Sequence, residues 1–145
     1  MSFIHSLYSL AHAVVKAPKF SHTTPILKSL HWLKVHERIK YKILSHTYKT
    51  LSTAQPAYLH NLISVQPPGH TRSSSLITIA RPPSSSSLKI TDRSFRYASP
   101  SLWNNLPASF HQPRSSSVTT ITPSITFSLF HSRLKTHLFH KSFSP

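Results

Sequence analysis

With 145 residues the chain has room for one domain at most. Its 17 Lys and Arg face two acids, Glu37 and Asp92, so the formal net charge of +15 opposes compaction and ion pairing cannot relieve it. Cys is absent, which excludes a disulfide framework, a thiolate metal site and a Cys nucleophile. Pro occurs 12 times but Gly only once, and the single Gly argues against a tightly turned globule.

In chain order, Phe3, Leu7, Leu10, Ala11 and Val14 recur at helical spacing, and Pro18 ends the pattern. Met1 to Val15 lacks Lys, Arg and acid, and Ala11-His12-Ala13 mimics a small-residue cleavage site. The basic start and dense apolar run of a secretory signal are missing, so none is expected. No run reaches about 18 apolar residues, so a membrane-spanning helix is not expected either.

Thr24-Pro25 supplies a helix start, with Thr as N-cap and Pro at the first helical position. The longest helical pattern runs from Leu30 to Leu51. Trp32, Val35, Ile39 and Ile43 share one face, and Leu33, Tyr41, Leu44, Tyr48 and Leu51 fill the adjoining arc. Lys34, Arg38, Lys42 and Lys49 fall on one narrow basic stripe, because steps of four and seven return to the same face. Gln55-Pro56 opens a shorter helix with Tyr58, Leu59, Leu62 and Ile63 on its apolar side, ended by Pro67-Pro68-Gly69.

From His70 to Ser87, serine runs flank Leu76-Ile77-Thr78-Ile79. That short run reads as a strand with nothing to pair with, so disorder is expected there. Ser99-Pro100 leads a turn of helix through Leu102, Trp103 and Leu106, closed by Pro107. Gln112 to Ser124 is a Ser/Thr/Pro linker, and Ile125 to Phe143 is an amphipathic helix with Phe127, Phe130, Leu134 and Leu138 as its stripe. The expected fold class is mainly α with extensive disorder: a few short amphipathic helices joined by Ser/Pro-rich linkers, with no complete globular domain. Four segments follow. Residues 1–24 hold a short helix, and 25–66 are helical and carry the basic stripe. Residues 67–124 are largely disordered around a Leu-Trp-Asn-Asn-Leu-Pro helix turn, and 125–145 form the C-terminal helix.

Two acids in different segments cannot build a two-metal centre, and one Gly cannot build a phosphate loop. Ser and His are abundant, but no G-x-S-x-G elbow exists. His131, His137 and His140 lack a Cys or acid to complete a zinc site and read as polar-face residues. No catalytic residue, metal or cofactor is therefore expected. The stripe of Lys34, Arg38, Lys42 and Lys49 is the candidate nucleic-acid contact, since an anionic backbone would relieve the like-charge repulsion and release counterions. Trp32, Tyr41 and Tyr48 could stack on bases, although a core role fits them better.

Several of these pieces resemble, in order, the C-terminal region of reverse transcriptases of non-LTR (LINE-type) retrotransposons. They are Ala13-Val14-Val15-Lys16-Ala17-Pro18, Leu30-His31-Trp32-Leu33, Glu37 to Leu44, Thr47-Tyr48-Lys49, Pro56-Ala57-Tyr58-Leu59, Asp92-Arg93-Ser94-Phe95, Ala98 to Pro107 and Leu134 to Phe139. Departures fall at Lys40, where relatives tend to carry an acid, and near Thr91. The resemblance implies a tail beyond the polymerase core that helps hold template RNA or target DNA. The polymerase acids and endonuclease of that family lie upstream, so no catalytic residue carries over. The expectation is a truncated, non-enzymatic remnant that binds RNA or DNA weakly and without sequence preference, with no small-molecule substrate. A cationic amphipathic protein at a membrane surface is the alternative, and a chain with no selected function the third.

Overall fold

The computed structural model describes residues 3–18, 20–67, 76–83, 93–111 and 125–144. These residues are mainly helical: α1 (Phe3–Val15), α2 (Thr23–Ser29), α3 (Val35–Thr53), α4 (Ala57–His60), α5 (Phe95–Asn104) and α6 (Phe127–Phe143). A 3-10 turn at Ala108–Phe110 and an isolated antiparallel bridge between Val65 and Ile79 complete the set. In place of helices strung along a chain without a globular unit, two compact units form. One is Met1–Tyr41 with Arg133–Pro145, the other Lys42–Ser132, and α3 and α6 contribute residues to both. The serine-rich tracts expected to be disordered, at 70–75, 84–87 and 112–124, lie outside the described residues.

The first unit is built on local helical periodicity. Ala11 of α1 and Ile26 and Leu27 of α2 form a buried cluster, with Tyr8, Ala17, Leu30, Trp32 and Phe143 packed against it. Leu33, Leu134 and Leu138 are also buried. The α2 helix begins at Thr23 with His22 as its N-cap, so Pro25 is its third residue and not its first. A proline is tolerated there because the first N–H groups of a helix have no intrahelical partner.

Helix ends explain how a chain with one Gly turns. Lys16, His31 and Ala54 all take the left-handed backbone conformation, with φ of 54°, 53° and 55°. After α2, Trp32 N–H donates to Leu27 O at 2.9 Å and His31 N–H to Lys28 O at 3.1 Å, the paired closure of a Schellman cap. After α1, Ala17 and Lys16 repeat it on His12 O and Ala13 O. Glycine is the residue that adopts this conformation without strain, and three side-chain-bearing residues adopt it here. The cap at His31 also corrects the boundary of the long helix. Leu30 to Lys34 is not helical, and α3 starts at Val35.

Within α3 the buried residues are Leu44, Thr47, Tyr48 and Thr50, whereas Ile39 is 53% exposed. The core face is thus the arc through Leu44 and Tyr48, not the one through Val35, Ile39 and Ile43. Burial of the threonines makes the shift possible. Thr47 Oγ1 donates to Ile43 O at 2.8 Å and meets Ser99 Oγ at 2.7 Å, so its polar atom is satisfied.

The second unit is aromatic and polar at once. The Phe130 ring stacks on Tyr48 at 4.0 Å and lies 6.1 Å from both Trp103 and Phe110, the latter edge-on. Tyr48 Oη donates to Ile125 O. The α5 helix starts at Phe95, with Ser94 as N-cap, so Ser99-Pro100 does not open it. Pro100 lies inside it, and Ser99 is fully buried against Thr47.

The segment Leu76 to Ala80, expected to have no partner, is ordered. Ile77 and Ile79 are buried. Gln66 N–H donates to Thr78 O and Ala80 N–H to Ser64 O, each at 2.8 Å. Ile79 N–H donates to Asn104 Oδ1 at 3.0 Å, and Asn104 Nδ2 donates to Ile79 O at 2.9 Å. Trp103 Nε1 donates to Ile77 O at 3.0 Å. The His111 ring faces Ile77 O through Nδ1 and Leu106 O through Nε2, and a neutral imidazole donates to one of them at a time. This extended segment, bridged at Ile79, has a main-chain neighbour on one edge and a side-chain neighbour on the other. Neither was visible from the local sequence.

Candidate nucleic-acid interface

The helical wheel of α3 places Arg38, Lys42 and Lys49 within about 40° of one another, at intervals of about 6 and 10.5 Å along its axis. All three are exposed. Lys34 departs from this stripe. It precedes α3, is half-buried, and its ammonium donates to Ser142 O at 2.9 Å while lying 5.1 Å from the Phe143 ring centroid. Those contacts direct its charge into the fold, so three of the four expected cations lie on the exposed face of α3.

His46 is exposed on the same side of α3, one turn after Lys42. Its positive form would extend the stripe, and the sequence signal for it was the four-residue step that defined the others. The ring of His131 lies 4.1 Å from that of Phe127. Burial holds its pKa below the ordinary histidine value, and the neighbouring His46 lowers it further. His137 is also shifted down, first by burial, then by Lys141 and His140.

Two of the three aromatic residues considered for base stacking, Tyr48 and Trp32, serve the cores. Tyr48 is buried and stacked on Phe130, and Trp32 packs against the Ala11–Ile26–Leu27 cluster. Glu37 lies in the first turn of α3, where a carboxylate is favoured by the helix dipole. Asp92 lies outside the described residues. Among the described residues no three His, Asp or Glu come together as metal ligands, and no helix is long and apolar enough to cross a membrane.

Chemically, the α3 face offers exposed positive charges in a row. The chain matches no protein-family model, no curated protein and no solved structure.

Proposed function

We propose that the chain is a non-catalytic, reverse transcriptase tail-like remnant that binds RNA or DNA weakly and without sequence preference through the exposed face of α3. The observation that carries this reading is the alignment of Arg38, Lys42 and Lys49 on one exposed helical face, in a chain with only two acids. Three cations held a helical turn or two apart repel one another, and a phosphate backbone removes that cost while releasing counterions. The ordered resemblance to the tail of LINE-type reverse transcriptases supports the same partner.

The test compares two variants of equal net charge. R38Q/K42Q/K49Q removes the stripe, and R81Q/R93Q/R96Q removes three exposed cations elsewhere. Both are titrated against one single-stranded RNA over a salt series. At about 0.7 per phosphate contact, the stripe variant loses about two units of the log–log salt slope, and the control loses less. K34Q behaves like wild type, because that ammonium is held by Ser142 and Phe143. Equal losses in the two triple variants would reject the stripe and leave a diffuse polycation.

The second reading, a cationic protein at a membrane surface, draws on α1, where Leu10 and Val14 are 54% and 55% exposed one turn apart. Anionic vesicles separate the two. Binding to them that survives L10S/V14S and is displaced by RNA belongs to the α3 face.

A further inference from the structure

The bonds Gln66 N–H to Thr78 O and Ala80 N–H to Ser64 O bracket Val65 and Ile79. That geometry makes the two a non-hydrogen-bonded antiparallel pair, with Cα atoms about 4.5 Å apart. In this register the main-chain groups of Ile79 point away from Val65. Asn104 meets both of them there and stands where a further strand would lie. Ile77 and Ile79, two residues apart, are 4% and 0% exposed, and Trp103 holds the carbonyl of the first. Main-chain bonding plus pockets at alternate residues is how sheets accept an added strand.

Every partner of this strand is remote in sequence. Asn104 is 25 positions from Ile79, and Trp103 and His111 are 26 and 34 from Ile77. Identical contacts therefore form if the strand comes from another molecule with the same sequence. In sequence, His70 to Ser75 contains no apolar residue, and Pro82-Pro83 is followed by four serines.

We propose that this groove is an exchange site, in which a second copy of the chain donates its Leu76–Ala80 strand and receives the first copy's in return. The product is a two-fold strand-swapped dimer whose groove is completed by the partner. Tethering gives the chain's own strand an effective concentration of about millimolar, so the monomer holds at low concentration and exchange sets in towards that value. Two copies at +15 repel, so salt favours the dimer, the opposite of its effect on RNA binding.

The chain has no cysteine, which makes an engineered pair readable. V65C/I79C places two thiols at a separation suited to a disulfide. The full-length variant is unfolded in reductant, refolded at rising protein concentration and at low and high salt, oxidised, and run without reductant. The expected result is a disulfide-linked dimer whose share grows with concentration and salt. An intrachain disulfide at every concentration overturns the proposal, and so does the absence of any disulfide. A second experiment covers the case in which I79C does not fold. Full-length N104A has a damaged groove and an intact strand, and I77S/I79S the reverse. Co-refolded in equal amounts, they form a heterodimer with one complete groove that neither forms alone. Failure to form it overturns the exchange.

Discussion

The unit built on α1 and α2 and the unit built around Phe130 reach burial by different routes. In the first, Ala11, Ile26 and Leu27 come from two successive helices, and Trp32 follows directly from the cap that ends α2. Its central contacts are aliphatic for the most part and require little polar matching, with Phe143 joining them from the far end of the sequence. In the second, Tyr48, Trp103, Phe110 and Phe130 converge from separate segments, and polar groups are buried with them. Thr47 is matched by Ser99, Ile79 by Asn104 and Ile77 by Trp103. The described residues of this unit include no acid, and side-chain-to-main-chain hydrogen bonds hold its segments in place. Such bonds cost more when broken than they contribute when made, because the partner left behind is buried and unsatisfied.

Removing one tryptophan from each unit puts the difference to its hardest test. W103A deletes a buried ring and one of the two side chains that meet the carbonyl of Ile77, and about 3–5 kcal/mol of stability is lost. Trp32 is half-buried, and W32A loses roughly half as much. Residue-resolved amide exchange reads both. Protection falls at Ile79 and Phe130 in the first variant and at Leu27 in the second. Equal global losses would mean that the two cores do not differ in the way described.

Glycine at the helix caps gives an effect of the next size, and in the opposite direction. H31G and A54G relieve the left-handed strain and raise stability by about 1 kcal/mol each, after the added freedom of the unfolded chain is counted. Denaturant midpoints measure it. A loss on either substitution would show that the side chain contributes more by packing than its backbone conformation costs.

The smallest effect comes from pH. His131 in one unit and His137 in the other have folded pKa values below the ordinary value of 6.5. The unfolded chain therefore takes up protons first as pH falls. Their contribution is present above pH 6.5 and is lost as pH falls through the folded values, so melting temperature drops on acidification. H46Q removes the nearby charge acting on His131 and shallows that drop, whereas H60Q, an exposed histidine on α4, does not. Identical pH profiles for the two variants would remove His46 from the account.

These contrasts also explain what could be read from the sequence. Helical periodicity located α1, the body of α3 and α6, because those helices bury residues three and four apart. It failed at Trp32, since nothing in Leu30-His31-Trp32 announces that a histidine will take a position glycine usually fills. It left two apolar arcs on α3 without choosing between them, since Thr47 and Thr50, which extend the buried one, count as polar until their burial is known. The extended run at Leu76–Ala80 was legible, but its partners were not. Its second neighbour is an amide side chain 25 residues away, and no local pattern encodes that. The cationic stripe was legible in three of its four members. Lys34 was lost for the same reason as Trp32, because α3 begins one residue later than that lysine.

Asn104 gives the second unit a chemical lifetime as well as a conformational one. Its amide nitrogen donates to Ile79 O while its oxygen accepts from Ile79 N–H. Hydrolysis of that amide to a carboxylate replaces the donor atom with an acceptor, so two oxygens then face each other across a bond that required one hydrogen. The shape of the side chain barely changes, and neither do its neighbours. Old protein and fresh protein would share one sequence of folding events and part company at a single atom. A preparation that loses its Ile79 protection on storage, without proteolysis or aggregation, would be reporting the age of Asn104.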